Sequence, residues 1–244
     1  MHSFMLGSFL VAEIISVATF KDIQTYINNK AFEKNKAILF SDVNMTLVMP
    51  ENKAVRYPAI LAHKLWYFWI TSGDKGNKTK TMITLTSDPV LVEKDCPQFL
   101  KTIGVKTILF SACVSGKIGK FASAKDVIFD GLKKLGIDQS ATYAHLSLTT
   151  PVFYKGILFS EPEKRKPEAM VDFLKAINQN DLNIVMMIDD RKENLNKAES
   201  ALKKAYPHMQ FIGFEYTGAY NMGEVLPTDE FKAAWNEAAA LVNE

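Results

Sequence analysis

Short uninterrupted apolar runs are the feature that most constrains the fold of this 244-residue chain. Within each run apolar residues follow one another instead of alternating with polar ones. The runs cover residues 37–41, 107–110, 156–159, 183–188 and 210–214. This pattern is typical of strands that are covered on both faces, as in a parallel sheet. Residues 13–17 are predicted to form a further strand.

Longer segments with helical spacing lie between these runs. They cover residues 20–28, 58–71, 124–135, 167–178, 193–206 and 228–242. Thr19 is a candidate N-cap for the first helix, and Gly136 a candidate left-handed residue after the third. The alternation predicts an α/β fold: a Rossmann-like, mostly parallel sheet flanked by helices.

The whole chain, 1–244, is predicted to be a single domain. Residues 50–97 are more than one crossover needs, so we expect a small helical cap insert there, with a helix followed by a polar loop over 72–80. Residues 219–244 are expected to form a C-terminal loop and helix.

Composition limits the classes of function. Hydrophobic residues make up 48% and charged residues 23%, which supplies a core, and the net charge of +2 gives no reason to expect a nucleic-acid partner. No apolar run is long enough to span a membrane. The apolar segment 4–12 is either part of the folded core or the remnant of an export signal. A cytoplasmic and an exported location both stay open, as does the oligomeric state.

Polar residues follow the predicted strands. Asp42 and Asn44 come after the first of the five runs, Ser111 after the second, and the adjacent pair Asp189 and Asp190 after the fourth. A basic stretch, 164–166, precedes the helix that begins near Pro167. Ligands of open parallel sheets bind at the carboxyl ends of the strands. Two adjacent carboxylates repel each other and need a cation or a proton.

The order of these groups resembles that of the haloacid dehalogenase-like superfamily, most of whose members are magnesium-dependent phosphatases. The four motifs of that superfamily correspond to Asp42-Val-Asn44-Met-Thr46, Ser111, Lys166 and Asp189-Asp190. Residues 156–159, 189–195 and 211–218 are similar, more narrowly, to a poorly characterised bacterial branch. The resemblance covers roughly residues 37–218.

The resemblance implies a Mg²⁺-dependent hydrolase of phosphate esters, acting on a phosphorylated small molecule or phosphoprotein. Asp42 would be the nucleophile that forms an aspartyl-phosphate. Mg²⁺ would be held by oxygen ligands. The remaining implied roles are Ser111 and Lys166 on the phosphoryl oxygens, Thr46 in the turn, and Asp42, the Asn44 backbone carbonyl, Asp189 and Asp190 on the metal.

Asn44 departs from the superfamily pattern, which has an acid at this position to protonate the leaving group and activate water. An amide cannot exchange a proton at neutral pH. Three interpretations stay open: a slow phosphatase that needs good leaving groups, a phospho-ligand binder that has lost turnover, or an engineered change at position 44. The alternative function is a non-catalytic phospho-ligand-binding or protein-interaction module on the same fold.

Two other features are ambiguous or set aside. The run of large residues over 65–70 either packs against the core or forms an aromatic wall that grips the leaving group. In the second case Trp66 or Trp69 lines the entrance and Trp235, on the last helix, does not. The segment 113–120 lacks the Arg of a cysteine-phosphatase loop and the glycine and hydroxyl positions of a nucleotide P-loop.

Overall fold

The computed structural model describes residues 13–149, 151–160, 165–177 and 181–242. The apolar segment 4–12 and Lys164 lie outside the described residues. The strands are β1 (Glu13–Val17), β2 (Ala37–Asp42), β3 (Val48–Pro50), β4 (Pro89–Leu91), β5 (Lys106–Ser111), β6 (Leu148–Thr149), β7 (Val152–Tyr154), β8 (Ile157–Phe159), β9 (Ile184–Asp189) and β10 (Gln210–Tyr216). The helices are α1 (Phe20–Asn29), α2 (Tyr57–Ala62), α3 (Lys64–Ile70), α4 (Gly73–Leu85), α5 (Cys96–Thr102), α6 (Ala124–Lys134), α7 (Lys166–Ala176), α8 (Lys192–Ala205) and α9 (Thr228–Leu241).

Within the described part of the chain, the main sheet has eight strands in the order β1-β10-β9-β2-β5-β8-β7-β6. The pairs from β1 to β8 are parallel, and β7 and β6 add an antiparallel edge. The predicted α/β, Rossmann-like, mostly parallel sheet is therefore confirmed. The antiparallel edge was not predicted, because its strands are only two and three residues long.

Alternate residues of the central strands face two separate helical layers. Leu39 and Ile188 pack in the layer that contains α1, α5 and α6. Phe40 and Met187 pack in the layer that contains α7 and α8, and the ring of Phe173 on α7 meets Phe40 edge to face at 5.8 Å. Every residue of β2 and β9 is buried, which explains why their sequences are continuously apolar.

Two predicted helix ends are confirmed. The hydroxyl of Thr19 accepts a hydrogen bond from the Asp22 backbone N–H at 3.2 Å, and the Asp22 carboxylate accepts one from the Thr19 backbone N–H at 3.0 Å. This is a reciprocal cap of α1. Gly136 follows α6 with φ of +82°, a conformation that costs glycine little.

The insert differs from the prediction in two ways. The predicted helix 58–71 is two helices, α2 and α3, which meet at His63. The predicted polar loop 72–80 is wrong, because these residues begin helix α4. The hydroxyls of Thr79, Thr81 and Thr84 each donate to a carbonyl four residues earlier. The polar composition of this segment predicts a loop, but the threonine hydroxyls form hydrogen bonds to the backbone of the helix itself.

Close packing holds α4 in place. A Cβ at Gly76 would lie 2.1 Å from the carbonyl carbon of Thr71, so only glycine permits this approach at the α3–α4 corner. Met82 of α4 packs with Phe231 and Trp235 of α9 in a third apolar cluster. The indole N–H of Trp235 donates to the carbonyl of Ala54 at 3.1 Å. The C-terminal helix therefore supports the insert.

Among the described residues, no helix combines the length and the apolar character that crossing a bilayer requires.

Candidate active site

Three neighbouring strands place the polar residues that the sequence singled out. Asp42 ends β2 and Asp189 ends β9, and the parallel register pairs Ser41 with Ile188, one residue before each acid. Ser111 ends β5, on the other side of β2. The carboxyl ends of these strands therefore bring the residues to one edge of the sheet.

Asp42, Asp189 and Asp190 form a buried carboxylate cluster. One oxygen from each lies within 4.8 Å of the others, and the three residues are at most 6% exposed. Carboxylate oxygens are the ligands that Mg²⁺ prefers in proteins. The donor set therefore fits the ion that the resemblance implies.

Lys166, the first residue of α7, lies against this cluster. Its ammonium group is 2.5 Å from Asp42 Oδ1 and 2.8 Å from Asp189 Oδ2, and the residue is only 8% exposed. Burial by itself lowers the pKa of Lys166, but the negative charges of Asp189 and Asp42 outweigh that effect and raise it above its usual value. The lysine is therefore a fixed positive charge at neutral pH.

One ammonium group does not neutralise three carboxylates. Burial raises the pKa of Asp42 to about 6, although the charge of Lys166 acts in the opposite direction. The pKa of Asp190 is also raised well above its usual value, by burial first and then by the charges of Asp42 and Asp189. Two negative charges remain uncompensated when all three acids are ionised. A divalent cation would balance them.

Hydrogen bonds orient the carboxylates of Asp42 and Asp189. Asp189 Oδ1 accepts from the backbone N–H of Arg191 at 3.0 Å and from the Asn194 amide at 2.8 Å. Thr46 is fully buried, and its hydroxyl donates to Asp42 Oδ2 at 3.3 Å. The turn between them passes through Met45, whose φ is +63°. Thr46 therefore ties this turn to the carboxylate of Asp42.

Ser111 and Asn44 both contact Cys113. The Ser111 hydroxyl accepts from the backbone N–H of Cys113 at 3.2 Å, and the Asn44 amide donates to the Cys113 sulfur at 3.4 Å. Asn44 is half-buried and Ser111 is fully buried. Both residues therefore lie at the same edge of the sheet as Asp42. Their assigned roles stay predictions.

Two tyrosines that sequence reasoning missed close over Asp190. The hydroxyl of Tyr57, at the start of α2, donates to Asp190 Oδ2, and the hydroxyl of Tyr220 donates to the backbone carbonyl of Asp190 at 2.5 Å. Their rings meet edge to face at 4.8 Å. Burial and the neighbouring Asp190 charge raise the pKa of Tyr57, so it remains a hydrogen-bond donor. No sequence signal marks either tyrosine.

The comparisons with known proteins identify a family. The family described as Protein of unknown function (DUF2608) matches residues 16–243. The chain belongs to the DUF2608 family. No curated protein matches its sequence. Among solved structures, the HAD domain of effector protein Lem4 from Legionella pneumophila is similar over 86% of this chain and 97% of that chain, with 12% sequence identity and a TM-score of 0.37.

The aromatic run over 65–70 divides between packing and exposure. Trp66 packs edge to face on Phe231 at 5.7 Å. Leu65 and Trp69, by contrast, are 88% and 70% exposed. A cavity beside Asn44 is lined by Tyr67 and Trp235. Neither Trp66 nor Trp69 lines this cavity, and Trp235 does, so the aromatic-wall alternative does not hold for this cavity.

Proposed function

We propose that this DUF2608 protein is a Mg²⁺-dependent phosphate-ester hydrolase of the haloacid dehalogenase-like type, with Asp42 as its nucleophile. The observation that carries the proposal is the buried cluster of Asp42, Asp189 and Asp190 with the ammonium group of Lys166 between two of them. The order of these residues along the chain is the one that the sequence resemblance requires.

Mg²⁺ would be held by Asp42, Asp189, Asp190 and the backbone carbonyl of Asn44. When bound, it supplies positive charge that stabilises the transferring phosphoryl group. Lys166 lies against Asp42, and a phosphoryl group bonded to that carboxylate would be within its reach. Ser111 would supply a further polar contact to the same group.

The chemistry of Asp42 is a two-step transfer. A carboxylate oxygen forms a bond to phosphorus while the ester oxygen leaves with the electron pair of the broken P–O bond. Water then attacks phosphorus, and the carboxylate leaves with the electrons of its own P–O bond, which gives inorganic phosphate. Thr46 donates to Asp42 Oδ2 and Lys166 to Oδ1, so both oxygens are oriented before the attack.

Asn44 limits which esters react. Its amide cannot protonate the leaving oxygen or activate the water. The leaving group must therefore be stable as an anion, as an aryl oxide is. The same residue favours a second candidate, a phospho-ligand binder that does not turn over.

Hydrolysis of an aryl phosphate, measured with and without Mg²⁺, tests the proposal. The native chain should release inorganic phosphate only with the metal, and Asp42→Asn should not release it. Asp181→Asn is the matched control, since Asp181 is exposed and precedes the start of β9, whereas Asp189 is at the end of that strand. Binding of phosphate without any hydrolysis by the native chain would contradict the enzyme and favour the binder.

A further inference from the structure

One of two cavities beside Asn44 has a volume of about 220 Å³, and its lining includes two basic residues. Asn44 lies two residues after Asp42, and Cys113, which contacts Asn44, lines the cavity too. The other cavity that Asn44 lines, of about 450 Å³, carries two carboxylates and one lysine, so it is the less suited of the two to an anion. A phosphate ester whose phosphoryl group is at Asp42 would therefore extend into the smaller space. Lys80 and Arg191 supply the positive charge of the lining.

Lys80 projects from α4 and is half-buried. Among the described residues no carboxylate forms an ion pair with it, and burial together with the nearby charge of Arg191 lowers its pKa. A half-buried ammonium group without a negative partner is costly. An anionic ligand would supply that partner.

Arg191 follows the metal-site acids directly and has a weak partner. Its guanidinium is 3.4 Å from a carboxylate oxygen of Glu193, and both side chains are more than half exposed. An exposed pair of this kind contributes little and is easily exchanged. Arg191 can therefore turn toward a ligand in the cavity at small cost.

We propose that Lys80 and Arg191 bind a second anionic group of the substrate, a carboxylate or a second phosphate, while its phosphoryl group lies at Asp42. This inference rests on the proposed function, because it takes Asp42 as the phosphoryl site. The substrate class is then a phosphate ester with a second negative charge on its leaving group. The cap helix α4 contributes specificity through Lys80.

Calorimetric titration with two phosphonates, which cannot be hydrolysed, tests this in the presence of Mg²⁺. Phosphonoacetate carries a second anionic group and methylphosphonate does not. The native chain should bind phosphonoacetate about tenfold more tightly or better, since a hydrogen bond to a charged group is worth that much. Lys80→Gln should bring the ratio of the two affinities close to one.

Two further variants guard against a trivial result. Lys80→Arg retains the charge and should keep most of the preference. Lys75→Gln removes a charge from an exposed position five residues earlier on the same helix and should leave the ratio unchanged. Equal affinity of the native chain for the two phosphonates, or a ratio that Lys80→Gln leaves intact, would overturn the inference.

Failure of the proposed hydrolase gives a different pattern. If no ester is hydrolysed but the preference for phosphonoacetate is present and depends on Lys80, the anion subsite stands and the protein is a binder. If aryl phosphates are hydrolysed with no preference for a carboxylated ester over a neutral one, the hydrolase stands and the subsite is refuted.

Discussion

Replacement of Lys166 by methionine is the change that tests the carboxylate cluster most directly. Methionine retains much of the length of lysine but carries no charge. The variant would leave Asp42 and Asp189, now in contact with the ammonium group at 2.5 and 2.8 Å, without a cation. Removing one partner of a buried ion pair costs about 3–5 kcal/mol. For a chain of this length that corresponds to a fall in Tm of about 6–20 °C.

The assay is urea unfolding near neutral pH without Mg²⁺, with Lys175→Met as the matched control. Lys175 lies on the same helix, but its side chain is 63% exposed and its ammonium group is 3.5 Å from Asp172. An exposed pair contributes about 1 kcal/mol or less. The two variants should therefore differ in unfolding free energy by about 2 kcal/mol or more.

The pH dependence of the same measurement gives an independent check. The pKa of Asp42 is raised to about 6 in the folded chain, against about 3.9 in an unfolded one. Folding therefore favours the protonated acid, and its stabilising contribution is complete below about pH 4 and is lost as the pH rises through about 6. The loss of unfolding free energy caused by Lys166→Met should be smaller at low pH, because protonation of the carboxylates removes the negative charge that the lysine balances. A variant as stable as Lys175→Met near neutral pH would refute the cluster.

The remaining predictions concern the metal and the residues around it. Asp190→Ala should abolish the rise in Tm that Mg²⁺ causes by binding the folded state; an unchanged rise in a thermal melt would remove Asp190 from the site. In the native chain, the rise in Tm that Mg²⁺ causes should be smaller near pH 5 than near neutral pH. The reason is that a proton on Asp42, whose pKa is about 6, competes with the metal. Tyr57→Phe removes a hydrogen bond to Asp190 and should weaken Mg²⁺ binding, measured by calorimetry, about 10–100-fold. Tyr154→Phe removes instead a hydrogen bond to Asp126, which is not one of the three clustered acids, and should not. Asn44→Asp should raise turnover of an alkyl phosphate about 10²–10⁴-fold, with a smaller gain on an aryl phosphate; equal rates for both variants, with Mg²⁺ still bound, would mean that the missing acid is not limiting.

The sheet could be predicted because strands buried on both faces have a recognisable local pattern in the sequence. Each central strand must be apolar at every position, so β2 and β9 are visible as runs in the sequence. The acids that end these runs were then placed at one edge by the rule for parallel strands. The basic stretch 164–166 was expected at the same edge, and the resemblance then selected Lys166 within it.

The insert could not be predicted in the same way, because its contacts are distant along the chain. Two of the buried residues of helix α4 are threonines and one is a glycine, and its three threonines and three lysines resemble a loop in composition. Tyr57 reaches Asp190 across 133 residues, and nothing near either residue indicates the contact. Lys80 lies in the segment whose composition predicts a loop, so the sequence does not place its side chain on a helix.

Under the proposed mechanism, three ionisable side chains described near the site are poor substitutes for the acid that is missing at position 44. Cys113 accepts a hydrogen bond from the Asn44 amide, but burial raises the pKa of its thiol. The pKa of Tyr57 is raised too, by burial and by the adjacent charge of Asp190, so its hydroxyl is also a weaker acid. Asp190 itself holds a proton readily in the absence of metal, but a carboxylate must lose that proton to bind Mg²⁺. Under the proposed mechanism Asp190 can therefore serve either as an acid or as a ligand, so a site that holds the metal loses Asp190 as a proton donor for the leaving group.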